Sequence, residues 1–276
     1  MPTVNHEGAD IWWDEAGSGP PLLMIQGLGY PSDAWWRLVP GLSSTFRVLT
    51  FDNRGVGRTG LPEDAFTMQT MADDAAAVIR AAGETSAHVF GASMGGLIAQ
   101  ELALRHPGLV RSLVLGCTGP GGREGIPSEA AAAGFLQSRT VMTPREAAEA
   151  SVPFVYADST PRAMIDEDID VRMAIPTGPD GYAAQLAAVF AYEGSHSRLS
   201  QIEVPVLVIH GTQDRLIPPQ NAQLLADAIP HAQLEWLEGA GHVFTTDRVD
   251  DTLRLVTEFV LKHETGTGDD WGRSNA

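Results

Sequence analysis

Apolar and polar positions alternate in blocks along the chain, and the blocks predict an ordered series of elements. Apolar runs at "DIWW" (10–13) and "PLLMIQG" (21–27) flank "GSGPP", whose glycines and prolines admit only a turn. "FRVLTFDNRG" (46–55) reads as a strand ending in a glycine-rich loop. Residues 68–83, "MQTMADDAAAVIRAAG", carry apolar side chains at helical spacing and stop at Gly83. "AHVFG" (87–91) is again a strand, "LIAQELAL" (97–104) a helix that cannot pass Pro107, and "VRSLVLGCTG" (110–119) a strand. Near-continuous apolar strands alternating with helices belong to a parallel sheet covered on both faces, an α/β fold.

The rhythm then breaks. Between Gly119 and Gln201 the segments "SEAAAAGFLQSR", "TPREAAEASVPFVY", "PRAMIDEDIDVRMAI" and "GYAAQLAAVFAYE" are rich in helix formers, which predicts an insertion of several short helices at 120–201. Strands return at "VPVLVIHGTQD" (204–214) and "AQLEWLEGAGH" (232–242), with helices at "NAQLLADAIP" (221–230) and "DDTLRLVTEFVLKH" (250–263). The predicted organisation is a core from 1–119 and 202–264, the helical insertion, and a polar, glycine-rich tail at 265–276 expected to be disordered.

Composition narrows the partners. The net charge of -17 repels phosphate backbones and anionic membranes, so nucleic acid and membrane partners are not expected, and a small molecule is. The single cysteine, Cys117, allows no internal disulfide, and no pair of histidines at helical spacing offers a metal site, so no metal is expected. "MPTVNHEGADIWWDE" shows no signal-peptide pattern, and no window approaches twenty uninterrupted apolar residues; a cytoplasmic location follows as an expectation. Whether the chain forms a homodimer is left open.

The candidate chemistry begins at Gly91-Ala92-Ser93-Met94-Gly95, a G-x-S-x-G pentapeptide between a strand and a helix. A bend tight enough to expose the hydroxyl brings the strand and helix backbones together, so side chains at the flanking glycines would collide. By itself the pentapeptide also suits an ordinary glycine-rich turn; the strand before it and the helix after it favour a nucleophile. A serine needs a base within hydrogen-bond reach, and the base needs an orienting carboxylate. Of eight histidines, His242 in "EGAGHVF" and His210 at the end of "VPVLVIHG" are predicted near the C-terminal edge of the sheet. His242 sits on a loop free to reach Ser93, whereas His210 is still within its strand and suits a structural role. His88 should lie at the far end. Asp214 follows a strand end, and Ser93, Asp214, His242 satisfies the chain order that accompanies this motif. Asp52 precedes the serine and is expected to brace a loop through Arg54 or backbone N–H groups.

"IQGLGY", "FDNRGVGRT", "GASMGG", "HGTQD" and "GAGH", spread in order from residue 25 to 242, resemble the α/β-hydrolase family, in particular its small bacterial esterases and lactonases such as enol-lactonases and methylesterases. The resemblance implies an eight-stranded, mostly parallel sheet, a helical cap at 120–200, a Ser-Asp-His triad and no cofactor. It also implies an oxyanion hole from the backbone N–H groups of Met94 and Leu28. Gln26 stands where the family usually has histidine, but a backbone donor does not depend on that side chain. The implied activity is hydrolysis of a carboxylic ester or lactone through an acyl-enzyme. Alternatives on the same triad are C–C bond hydrolysis or perhydrolysis, or a ligand receptor with slow turnover. Trp35, Phe135, Phe154, Tyr156 and Phe190 are candidates to line an apolar pocket for an uncharged group, and "DEDID" (166–170) reads as a solvated helix face.

Overall fold

In strand "PLLMI", Leu22 and Met24 enter one apolar core while Leu23 and Ile25 enter another, the period-two alternation of a strand buried on both faces. The computed structural model describes residues 2–264, so the tail expected at 265–276 lies outside the described residues. The strands are β1 (Thr3–His6), β2 (Ala9–Ala16), β3 (Pro21–Ile25), β4 (Arg47–Phe51), β5 (Ala87–Ala92), β6 (Val110–Gly116), β7 (Val206–Gly211) and β8 (Gln233–Leu237). They form one eight-stranded sheet in the order β1-β2-β4-β3-β5-β6-β7-β8. The β1–β2 and β2–β4 pairs are antiparallel, and all others are parallel.

The helices are α1 (Val39–Leu42), α2 (Met68–Ala81), α3 (Met94–Arg105), α4 (Ala130–Ser138), α5 (Pro144–Val155), α6 (Arg162–Ala174), α7 (Pro179–Ala191), α8 (Gln220–Ala228), α9 (Phe244–Asp247) and α10 (Val249–Glu264). Buried residues of α2, α3 and α8 pack on one face of the sheet, and those of α1, α9 and α10 on the other. Each fully buried Leu, Ile or Phe in these layers contributes roughly 1.5–3 kcal/mol of transfer free energy. Thr67 caps α2 by accepting from Thr70 N–H, and Gly83 turns the chain out of it at φ +80°. Strand β1 was not foreseen. Its "TVNH" is exposed or half-buried and pairs only with β2 at the sheet edge, where no apolar run is needed.

Helices α4–α7 fall between β6 and β7 and form their own apolar cluster around Ala148, Val155, Tyr156, Ile165 and Ile169. Among the described residues no helix is long and apolar enough to cross a membrane.

Candidate active site

Ser93 joins β5 to α3 with φ +55° and ψ -121°, a left-handed conformation that a non-glycine residue holds at a cost of about 1–3 kcal/mol. The surroundings enforce it. Ser93 N–H donates to Gly116 O at 2.9 Å, and Thr118 Oγ1 donates to Ser93 O at 2.8 Å. A Cβ at Gly91 would overlap Gly95 O, and one at Gly95 would overlap Ile25 O, so both motif glycines are demanded by backbone approach. The hydroxyl therefore stands at the C-terminal edge of the central strand, at the N-terminus of α3.

The next two candidates come from the loops after β7 and β8. His242 Nδ1 donates to Asp214 Oδ2 at 2.8 Å, and Leu216 N–H and Ile217 N–H donate to Asp214 Oδ1 at 2.8 Å each. His210 Nε2, 3.0 Å from Asp214 Oδ2, completes the shell and also reaches Ile217 O at 3.1 Å. Burial pushes the Asp214 carboxyl up, but the charge of His242 and hydrogen bonds from both imidazoles outweigh it and hold Asp214 at about 2. The structural role expected for His210 is thus specific: it braces the carboxylate.

The loop bearing His242 is tied down. Val243 N–H donates to Val155 O at 2.7 Å, and Asp247 Oδ2 accepts from Gly241 N–H at 2.7 Å and from Ala157 N–H at 3.3 Å. The end of α5 thereby fixes the position of the imidazole, which sequence reading placed on a free loop.

The segment Gln26-Gly27-Leu28-Gly29 faces Ser93, and a side chain at Gly27 would come within 3.0 Å of Ser93 Cβ. Gln26 Oε1 accepts from Gly27 N–H at 3.1 Å, and Gly29 N–H donates to Gln185 Oε1 at 2.8 Å. Between them, Leu28 N–H donates to no described residue, and neither does Met94 N–H. Gln185 is fully buried on α7 and donates through Nε2 to Arg54 O at 2.9 Å. Nothing in "GYAAQLAAVF" marked it; only the packing of α7, whose Gly181 lies against Gly55 O, brings it to the loop.

Ser93, Leu28, Met94 and His242 line one cavity of about 930 Å³, and residues of α4–α7 form part of its wall. Phe135, Tyr156, Tyr192 and the exposed Phe190 reach it, as does Trp35, which is also packed 5.1 Å from Phe90 in the core. Phe154 does not line the cavity. It stacks on Phe135 at 4.9 Å between ring centres, half-buried against the apolar cluster of the helical insertion.

One further residue departs from expectation. Asp168, within "DEDID", is no solvated acid: it is 8% exposed and accepts from Trp36 Nε1, Arg37 Nε, Tyr156 Oη and Thr246 Oγ1 at 2.7–3.1 Å. Asp52 braces Ser32 and Arg58 through their N–H groups, whereas Arg54 pairs with Asp74. Cys117 lines the cavity, but burial pushes its thiol well above the ordinary range, so it is no rival nucleophile. His88 sits at the far end of the sheet with Ser112 and Glu264.

A strained serine after the central strand, an acid after β7, a histidine after β8 and a helical insertion after β6 together define the α/β-hydrolase class. The chain belongs to the α/β-hydrolase family, whose fold matches residues 20–248. It is 30% identical over 257 residues to a protein of Azorhizobium caulinodans provisionally named a carbamate hydrolase, RutD, covering 89% of this chain and 92% of that one. It is 30% identical over 262 residues to the 2-hydroxymuconate semialdehyde hydrolase of Pseudomonas sp. CF600, covering 90% and 89%. The solved enol-lactonase of Burkholderia xenovorans LB400 superposes with a TM-score of 0.83 at 27% identity, covering 94% of this chain and all of that one.

Proposed function

We propose that this hydrolase cleaves a carboxylic ester or lactone by way of an acyl-enzyme on Ser93. The observation that carries the reading is the strained Ser93 opening onto the same cavity as an imidazole already hydrogen-bonded to a buried, ionised Asp214. His242 Nε2 takes the Ser93 proton as Oγ bonds to the carbonyl carbon, and the carbonyl electron pair moves onto oxygen. The oxyanion rests on the N–H groups of Leu28 and Met94, whose donors are otherwise unused. Each such donor lowers the barrier by about 3 kcal/mol. The tetrahedral intermediate collapses, and the imidazolium passes its proton to the departing alkoxide. Asp214 holds Nδ1–H and stabilises the transient charge. Water, deprotonated by His242, then attacks the acyl carbon and frees Ser93 and a carboxylic acid.

The test is intact-mass analysis after treatment with a fluorophosphonate. One adduct on the wild type, absent from Ser93→Ala, is expected. Full turnover of an ester by Ser93→Ala would end this reading.

A further inference from the structure

The cavity wall holds two cations that no side chain neutralises. Arg139, just after α4, and Arg172, in the last turn of α6, line the cavity and are 9% and 5% exposed. Among the described residues neither forms an ion pair. Asp168, one helical turn before Arg172, is already taken by Arg37, Trp36, Tyr156 and Thr246. Arg139 Nε and Arg172 Nη1 are buried without a hydrogen-bond partner, and so is the hydroxyl of Tyr30, which lines the same cavity.

Burying an unpaired ion costs several kcal/mol. The offsets visible here are smaller. Arg139 lies 4.1 Å over the Tyr182 ring and Arg172 lies 4.0 Å over the Tyr30 ring. Such stacking offsets only part of that cost and holds the guanidinium planes in fixed orientations. The two cations also oppose each other, and burial together with the neighbouring Arg172 charge pushes the Arg139 guanidinium below its ordinary range. A side cavity of about 20 Å³ touches both arginines and the unpartnered Thr177 hydroxyl. That volume admits about one water, which accepts two hydrogen bonds and neutralises nothing. An anion in the main cavity, which both arginines line, would supply the missing counter-charge.

Position relates this set to the chemistry. Arg139 Nη2 stands beside Gly29, 3.2 Å from where a Cβ would be, one residue from Leu28. We infer that Arg139, Arg172 and Tyr30 form a subsite for a carboxylate carried by the substrate away from the scissile carbonyl. The preferred class is then half-esters or carboxylated lactones derived from dicarboxylic acids. This rests on the hydrolase reading and replaces the uncharged substrate suggested by sequence. Guanidinium forks recognise carboxylates in a plane, which an ammonium does not reproduce.

The experiment has two arms. Isothermal titration compares hexanoate with hexanamide in the wild type, Arg139→Gln and Arg172→Gln. Hexanoate should bind the wild type about tenfold tighter or more, and each substitution should abolish that preference. Arg172→Lys, which keeps the charge and loses the fork, should retain part of it. Melting temperatures should hold or rise in the glutamine variants, because an unpaired buried cation is removed. Unchanged hexanoate affinity in both glutamine variants would assign the carboxylate to other donors and overturn the inference. Equal competition by chloride would overturn it too. The second arm takes the ratio of kcat/KM for the mono-p-nitrophenyl ester of adipic acid over p-nitrophenyl hexanoate. That ratio should exceed about ten in the wild type and approach one in the variants. Lost binding preference with Ser93-dependent turnover would remove the anion subsite alone. Intact preference with turnover independent of Ser93 would remove the hydrolase mechanism alone.

Discussion

Gln185 accepts from Gly29 N–H at 2.8 Å, a hydrogen bond across 156 residues that ties helix α7 of the insertion to the loop beside Ser93. Its amide also donates to Arg54 O, so one side chain satisfies two buried backbone groups on different loops. Substituting Gln185→Leu leaves both unpaired. Unfolding stability should fall by about 2 kcal/mol in urea titration, and ester kcat/KM by about tenfold as the loop loosens. A variant with wild-type kcat/KM would show that the loop holds its shape without α7.

Asp214 dictates a pH dependence of stability. Its folded value, about 2, lies below the ordinary 3.8, so the folded state binds the proton more weakly than the unfolded chain does. The resulting stabilisation is fully present above about pH 4 and is lost as pH falls through 2; the shift corresponds to about 2 kcal/mol. Urea midpoints measured between pH 5 and 2 should fall less steeply in Asp214→Asn than in the wild type. Ester turnover in that variant should drop by about 10⁴-fold, because the imidazole loses its orienting anion.

Asp168 on α6 joins the helical insertion to the segments before and after it through four donors, two of them on Trp36 and Arg37 and one on Thr246. Asp168→Ala leaves the half-buried Arg37 with only the exposed Glu167 as an ionic partner, beside its bond to Met164 O, and unpairs Trp36 Nε1 and the buried Tyr156 hydroxyl. A loss of about 3 kcal/mol is expected by thermal or urea unfolding. Asp166→Ala, on the exposed side of the same helix, should change stability by less than about 0.5 kcal/mol.

Gly95→Ala places a methyl group on Ile25 O. Overpacking at this junction should cost roughly 1–3 kcal/mol and slow fluorophosphonate labelling, because α3 must retreat from β3 and take Ser93 with it. Labelling at the wild-type rate would show that the elbow tolerates the shift.

Local signals made much of this molecule readable in one dimension. Strands β2 to β7 announced themselves as apolar runs because both faces of the sheet are covered, and α2 and α10 by their amphipathic spacing. Ser93, Asp214 and His242 were legible as candidates because each follows a strand in a loop with its own turn chemistry. What stayed hidden depends on contacts between distant residues. Four acids in "DEDID" look alike in the sequence, yet only Asp168 turns inward, because α6 lays that position against Trp36 and Thr246. Phe135 and Phe154 are equally apolar, yet one lines the cavity and the other lies behind it. Arg139 and Arg172 carried no signal at all, since a pattern of residues records charge but not whether a carboxylate comes within reach. The sequence by itself determined which segments are strands, helices and bends, because those follow from periodicity and backbone sterics. Only the tertiary structure decided which polar groups are buried and paired, because burial and pairing arise where separate elements pack.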